Sequence, residues 1–535
     1  MRRSTLLIFI PFLFLLIFFF YPVSSLLYQG VWDKGPTGRY LWTMLSDQYY
    51  QNILGFTTYQ AFLSALLTMI IGLPGAYIIG NYDFRGKSLI KSISTVPFIL
   101  PSIIVVIGFI AMFGKNGILN SFLGIFGLHV EILYTLPAIL LAHAFYNFPV
   151  VMRIVGSGWE NISSDIEDSA RVLGASKLTV FRKITLPLLR PHIISSFMLV
   201  FAYCFMSFAI VLILGGGRYS TIEVEIWSLS TTLIRPHLAS ALAIIQIAFS
   251  SLFLIIYLGF SRGYKGMGVR RMKRIGMGKE AIAIYLYGVL IFILIFAPMI
   301  SVAYYSFLNT WGGSLTLRWY SLIFSSSSVS VIGISPAEVI MNSVFFAFMT
   351  VIITVPMGIL TARSMGNGRL TGALAMLPMA VSSVTLGWAF ISAFLGTPLY
   401  GSWLIIVIAH SVIAFPLVFR SIWNSYSTMD RNLIDAARTL GASPFSAFLM
   451  VELPQILPGI IVGATFAFAI SLGEFGATLL LYRPEYTTIP IAIYKILGTR
   501  AFGSAAAMSV ILMVLATASF LLIDRLGGKQ NRSAF

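Results

Sequence analysis

Few residues in this 535-residue sequence have the type and spacing that chemistry requires. The stretch Gly80 to Ser88, GNYDFRGKS, approaches a phosphate-binding loop, but five residues separate its glycines where that motif has four, and an apolar run precedes it. It reads as a turn. His143 and His410 have no His, Cys or carboxylate on the same turn, so hydrogen bonding between helices suits them better than metal ligation. Cys204 is the single cysteine, which excludes an internal disulfide and a thiolate cluster and suits a small apolar helix residue. HExxH, GxSxG and paired acids within the apolar runs are all missing, which leaves a membrane enzyme without footing. Glu474, in SLGEFGATLLL, is an acid deep in an apolar run, where a charge costs about 2.5 to 3.5 kcal/mol on insertion scales. Such a residue must face the protein interior, either lining a pathway or gate or fixing helix packing through hydrogen bonds.

Two polar segments are more informative because they occur twice. DSARVLGASKLTVFRKITLPLLRP begins at Asp168, and DAARTLGASPFSAFLMVELPQILPG begins at Asp435. Each reads as a short helix, a glycine turn and a second helix entering an apolar run. Gly174 and Gly441 fall where a helix C-terminus calls for positive φ. Ala170, Ala436 and Ala437, with Ser169, leave a low surface that another protein can approach closely. Subtraction extends the correspondence: His143 and His410, Pro149 and Pro416, Arg153 and Arg420, Pro187 and Pro454, and Tyr219 and Tyr486 all differ by 267. Upstream the shift is 282 for Pro74 and Pro356 and 281 for Pro97 and Pro378, so the first copy carries about fourteen extra residues near 114–133. The chain is therefore an internal duplication. The counterpart of Glu474 is Ser207, so the copies differ at the candidate pathway position.

Both segments resemble the E-A-A-x-x-x-G loop of type I ABC importer permeases, with Asp in place of the usual Glu and Ser169 in place of the first Ala in one copy. The SLGEFGAT string around Glu474 and the region CFMSFAIVLILGGGRYSTIEVEIW around Ser207 resemble thiamine permeases, with sulfate and molybdate permeases alike at the first and fused iron(III) permeases sharing the overall plan. The resemblance implies that the short helices, at Asp168, Ser169, Ala170 and Gly174 and at Asp435, Ala436, Ala437 and Gly441, dock in grooves of two copies of an ATPase. It also implies a solute-binding protein on the outer face. It places ATP and Mg on the ATPase, with no cofactor bound by this chain itself.

The elements that position these loops follow from composition. The chain is 58% hydrophobic and only 10% charged, against roughly a quarter charged in a soluble domain. A spanning helix needs about 20 mostly apolar residues, and the sequence predicts twelve, at 5–27, 53–80, 93–113, 134–155, 192–214, 241–261, 281–306, 338–362, 371–394, 402–420, 459–482 and 505–525. Arg2 and Arg3 before the first run could suggest a signal peptide. The run is long, however, lacks a small-x-small site, and is matched by the opening of the seventh. Of the 35 Lys and Arg residues, 26 fall on the side that holds both termini and both duplicated loops, which makes that side cytoplasmic and accounts for the net charge of +17 without nucleic acid.

The expected fold is thus all-α and membrane-embedded. Residues 1–261 form one six-helix permease unit and 281–535 a second, parallel to the first because six is even. Between them, 262–280 forms a basic, glycine-rich linker, read as a flexible cytoplasmic tether near lipid headgroups. The implied function is the permease subunit of an ATP-driven importer of thiamine or a related small solute, with iron(III) or an oxyanion as the alternative. A secondary transporter would need mid-membrane coupling-ion sites, which one buried acid does not supply.

Overall fold

A computed structural model describes residues 2–32, 38–94, 96–261, 270–274, 278–309, 314–325, 331–364 and 369–527. Much of the basic linker, at 262–269 and 275–277, lies outside them. The chain is helical almost throughout because in hydrocarbon every backbone N–H and C=O must be satisfied within its own segment. Among the described residues, eleven helices are long and apolar enough to cross a membrane. The predicted ninth span is instead two helices, Gly372–Ala380 and Ser383–Phe394, bent by 98°. Pro378 sits in the short turn of 3-10 helix just before that bend.

The fifth and eleventh spans differ from expectation in register. Hydropathy places them at 192–214 and 459–482, but the continuous helices run from Lys177 to Phe205 and from Pro444 to Gly473. Each starts inside the duplicated loop and passes through a wider π turn, Phe181–Thr185 or Phe448–Glu452, immediately ahead of Pro187 or Pro454. A proline removes one N–H from the ladder, and the π turn accommodates the freed carbonyls. The apolar residues beyond each helix form separate short helices, Ala209–Leu214 and Gly476–Leu481. Apolarity alone does not register such breaks.

Packing divides the chain into two compact units that cross the boundary of the duplication. One comprises 1–41, 226–244 and 305–535. In it, the Tyr21 hydroxyl donates to the Ala393 carbonyl (3.3 Å) and the Ser25 hydroxyl to the Ser392 carbonyl (3.1 Å), so the N-terminal helix packs on a helix of the second copy. The core of this unit is built around the Trp403–Thr428 helix, with Phe415, Val418 and Ile422 buried. The other unit comprises 42–225 and 245–304. There the Lys279–Phe307 helix joins the first copy, and the Tyr287 hydroxyl donates to the Ile71 carbonyl (2.9 Å). Close packing in this unit depends on small residues. A Cβ on Gly72 would meet the Val151 side chain at 2.7 Å.

Candidate functional site

The two loops are built the same way from their caps upward. In the first, the Ser163 side chain accepts from the Asp165 N–H (3.2 Å) and opens a helix at Ser164–Val172. In the second, Asp430 accepts from Asn432 N–H (3.0 Å) and opens Arg431–Thr439. Each cap satisfies one of the free N–H groups of a first turn. Both helices close on glycines with φ of 88°, Gly174 and Gly441. The N–H of Gly174 bonds to the Arg171 carbonyl (2.9 Å) and that of Ala175 to the Ala170 carbonyl (3.0 Å). Gly441 bonds to Arg438 (3.0 Å) and Ala442 to Ala437 (3.0 Å) in the same pattern. This is the six-to-one and five-to-two arrangement that left-handed glycine permits. The following helices are capped by Ser176 onto Thr179 N–H (3.2 Å) and by Ser443 onto Ser446 N–H (3.1 Å).

The faces so presented are apolar at the tip. Val172 and Leu173 are each 87% exposed and Leu440 88%. Asp168, Ser169, Asp435 and Ala436 lie on the exposed side, while Ala170 and Ala437 are half-buried. Asp168 forms only a loose pair with Arg171 (3.5 Å). A short helix with an exposed apolar tip, joined by a fixed turn to a membrane helix, suits insertion into a groove of another protein and transmission of its movement.

Underneath, each loop is held by one arginine–carboxylate pair that the sequence reading missed. In the first, Glu167 receives both arms of the Arg270 guanidinium, at 2.8 and 3.3 Å, and the Thr185 hydroxyl at 2.6 Å. Burial raises the Glu167 carboxyl, but the hydrogen bonds from Arg270 and Thr185 outweigh it and hold it below the ordinary glutamate range. In the second, Glu452 receives Arg363 (3.0 Å) and the Tyr426 hydroxyl (3.2 Å). Arg363 also lies over the Phe448 ring, 4.9 Å from its centre. Glu452 could have been found in the sequence as an acid in the apolar run LMVELP. Arg270 could not, because it lies in the linker. That linker was expected to be a flexible tether, yet residues 270–274 are hydrogen-bonded to the first copy, and Lys273 and Arg274 pair in parallel with Tyr82 and Asp83.

Glu474 and Ser207 do not join the loops. The helices Leu453–Gly473 and Leu186–Phe205 intervene, about 30 Å of length at 1.5 Å per residue. Both residues sit in helix breaks, not within helices. The Glu474 carboxylate is buried and accepts from the N–H groups of Ala477 (3.2 Å) and Thr478 (3.1 Å) and from the Thr478 hydroxyl (3.1 Å). It therefore caps the Gly476–Leu481 helix. His410 lies beside it at 4.0 Å and bonds to the hydroxyls of Ser471 (2.7 Å) and Thr478 (2.8 Å). His143 bonds to Ser64 (2.9 Å) through Nδ1. Its Nε2 meets no hydrogen-bond partner among the described residues, since Val211 stands where the second copy has Thr478.

Comparison with known proteins agrees with this architecture. Residues 72–266 and 354–532 each match the family of binding-protein-dependent transport system inner membrane components. The chain belongs to that family and carries its domain twice: it is a multi-pass permease subunit of an ATP-binding cassette importer. A subunit of this kind works with a separate ATPase and a solute-binding protein. The chain is 25% identical over 494 residues to the thiamine transport system permease protein ThiP of Brucella abortus, covering 91% of this chain and 90% of that one. It is 25% identical over 529 residues to ThiP of Escherichia coli, covering 96% and 95%. It is also 25% identical over 537 residues to the ferric transport system permease protein FbpB of Actinobacillus pleuropneumoniae, covering 96% of this chain and 77% of the relative.

Proposed function

We propose that this chain forms the translocation pathway of an importer for thiamine or a related small solute, driven by two copies of an ATPase subunit docked on its two coupling helices. The two loops face the cytoplasm, as do both termini, and the solute-binding protein docks on the opposite face. ATP and Mg belong to the ATPase. The observation that carries the mechanical part is the duplication of the whole loop, caps and left-handed glycine included, at an offset of 267 residues. Two equal handles suit two equal motors. Movement of each short helix passes directly into the continuous helix that follows, Lys177–Phe205 or Pro444–Gly473, and arrives at the breaks that hold Ser207 and Glu474. ATP can shift the pathway only through the difference in its contacts between the two states.

Identity does not separate the thiamine and ferric relatives, but length does: the thiamine permeases align along nearly their whole chains. The alternative cargo of ferric iron rests on the ferric relative, and that of an oxyanion on the resemblance of SLGEFGAT to sulfate and molybdate permeases. The deciding experiment reconstitutes the permease with its ATPase and binding protein in vesicles and measures ATP-dependent uptake of labelled thiamine, ferric iron and sulfate. Saturable thiamine uptake that requires all three proteins is expected. Uptake of iron or sulfate alone replaces the cargo, and uptake without the ATPase overturns the mechanism.

A further inference from the structure

The two coupling helices face the same mechanical task with different parts. In the second copy the Pro336–Ser364 helix supplies Arg363 at its inner end, and that guanidinium reaches Glu452 at the base of the Leu453–Gly473 helix. The first-copy residue 282 positions before Arg363 is Asn81, whose side-chain amide donates to the Tyr77 carbonyl of its own helix (2.9 Å) and so supplies no cation. The residue 267 positions before Glu452 is Thr185, and the acid appears instead at Glu167, on the coupling helix itself, where the second copy has Ile434. The guanidinium that pairs with this buried acid comes from outside the repeated unit.

The linker brings one. The Arg270 N–H donates to the Glu160 carbonyl (3.0 Å) at the end of the Leu136–Glu160 helix, and its guanidinium grips Glu167 on the coupling helix. The Arg271 N–H donates to the Ser164 hydroxyl (3.4 Å). Lys273 and Arg274 then pair with Tyr82 and Asp83, which follow directly on the Gln48–Asn81 helix. Lys87 secures the same corner through the Met272 sulfur (2.9 Å) and Glu160 (3.5 Å). Five linker residues thus tie together the inner ends of two membrane helices and the coupling helix.

We propose that residues 270–274 act as a strap in the force path of the first coupling helix, with Arg270 and Glu167 as its positioning pair, whereas the second coupling helix is braced from within its own repeat. This rests on the reading of the loops as ATPase handles. The strap's consequence is specific: loosening it disconnects the first loop from the Gln48–Asn81 helix without removing the surface that docks the motor. Planar, two-armed pairing of guanidinium with carboxylate is something lysine does not reproduce, so Arg270→Lys is a graded variant.

The test uses the full complex in vesicles with Glu167→Arg, Arg270→Glu, the charge-swapped double variant and Arg270→Lys. Solute moved per ATP hydrolysed is read beside co-purification of the ATPase. Each single reversal is expected to lower the transport-to-hydrolysis ratio at least about tenfold with the ATPase still bound, Arg270→Lys to lower it about threefold, and the double variant to recover to within about threefold of the native chain. Normal ratios in both single variants overturn the strap, and so does a double variant no better than the singles. If the ATPase fails to co-purify with the native chain, the handle reading fails instead, and the strap with it. A variant that does not insert is recognised by its absence from washed membranes. In that case Arg270→Lys and Glu167→Gln, which keep the shape of the side chains, carry the same decision: unchanged ratios in both overturn the strap.

Discussion

The first and second duplicated loops have the same backbone and different foundations. Caps, glycine turns and π turns recur position for position, because a helix that must end, turn and re-enter a membrane has few ways of satisfying its free N–H and C=O groups. The bracing beneath them recurs only in kind. The acid is Glu167 on the short loop helix in one copy and Glu452 on the following helix in the other, and the arginine comes from the linker in one and from a membrane helix in the other. Duplication preserves what backbone geometry demands, while a charge pair is free to move wherever both partners can still meet.

The comparison can be broken first at the second brace. Glu452→Ala leaves Arg363 and the Tyr426 hydroxyl without their carboxylate; removing one member of a fully buried pair costs about 3 to 5 kcal/mol, and less here because Arg363 is partly exposed. The expected outcome is a large fall in folded protein recovered from membranes, measured by detergent-solubilised yield. A yield equal to that of the native chain would contradict the bracing role. Next come the two turns. Gly174→Val and Gly441→Val each force a branched side chain into left-handed backbone, at about 1 to 2 kcal/mol, and both are expected to depress uptake to a similar degree because both turns have the same φ. A strong effect in one and none in the other would show that only one handle is used.

Smaller effects sharpen the contrast. Ser163→Ala and Asp430→Ala each remove an N-cap worth about 1 kcal/mol, and hydrogen exchange of the capped helices is expected to rise in the altered loop alone. The acid dependence of the first brace has a definite sign. The Glu167 carboxyl sits below its ordinary value of 4.5 in the folded chain, so the brace contributes fully above that value and is lost as pH falls through the lower one. Coupled uptake through this pair is therefore expected to be flat from about pH 6 to 8. A neutral-range slope abolished by Glu167→Gln would contradict it.

Much of this was legible in the sequence. The spacing of His143, Gly174 and Pro187 against His410, Gly441 and Pro454 revealed the duplication, and the position of each glycine after a short polar helix gave the turn. What was not legible has physical causes. Hydropathy integrates over a window, so it ran the fifth and eleventh spans through the breaks at 206–208 and 474–475, where two or three non-helical residues leave apolarity unchanged. Glu474 read as an interior acid that either lines a pathway or fixes helix packing, and its oxygens are occupied by N–H groups at the start of the helix that follows the break. Arg270 was hidden because a basic, glycine-rich stretch reads as tether, and only its position beside Glu167 shows that five of its residues are structure.

The central claim is that both short helices are gripped by the ATPase on the cytoplasmic side. Leu173→Cys and Leu440→Cys place single reactive thiols at the exposed tips, while the native Cys204 is buried. With a short bifunctional reagent applied to inverted membrane vesicles containing the assembled complex, each variant is expected to form a covalent adduct with the ATPase subunit. The adduct yield should change when ATP is added. Labelling of either thiol from the outer face of intact cells, or two cytoplasmic tips that never capture the ATPase, would contradict it.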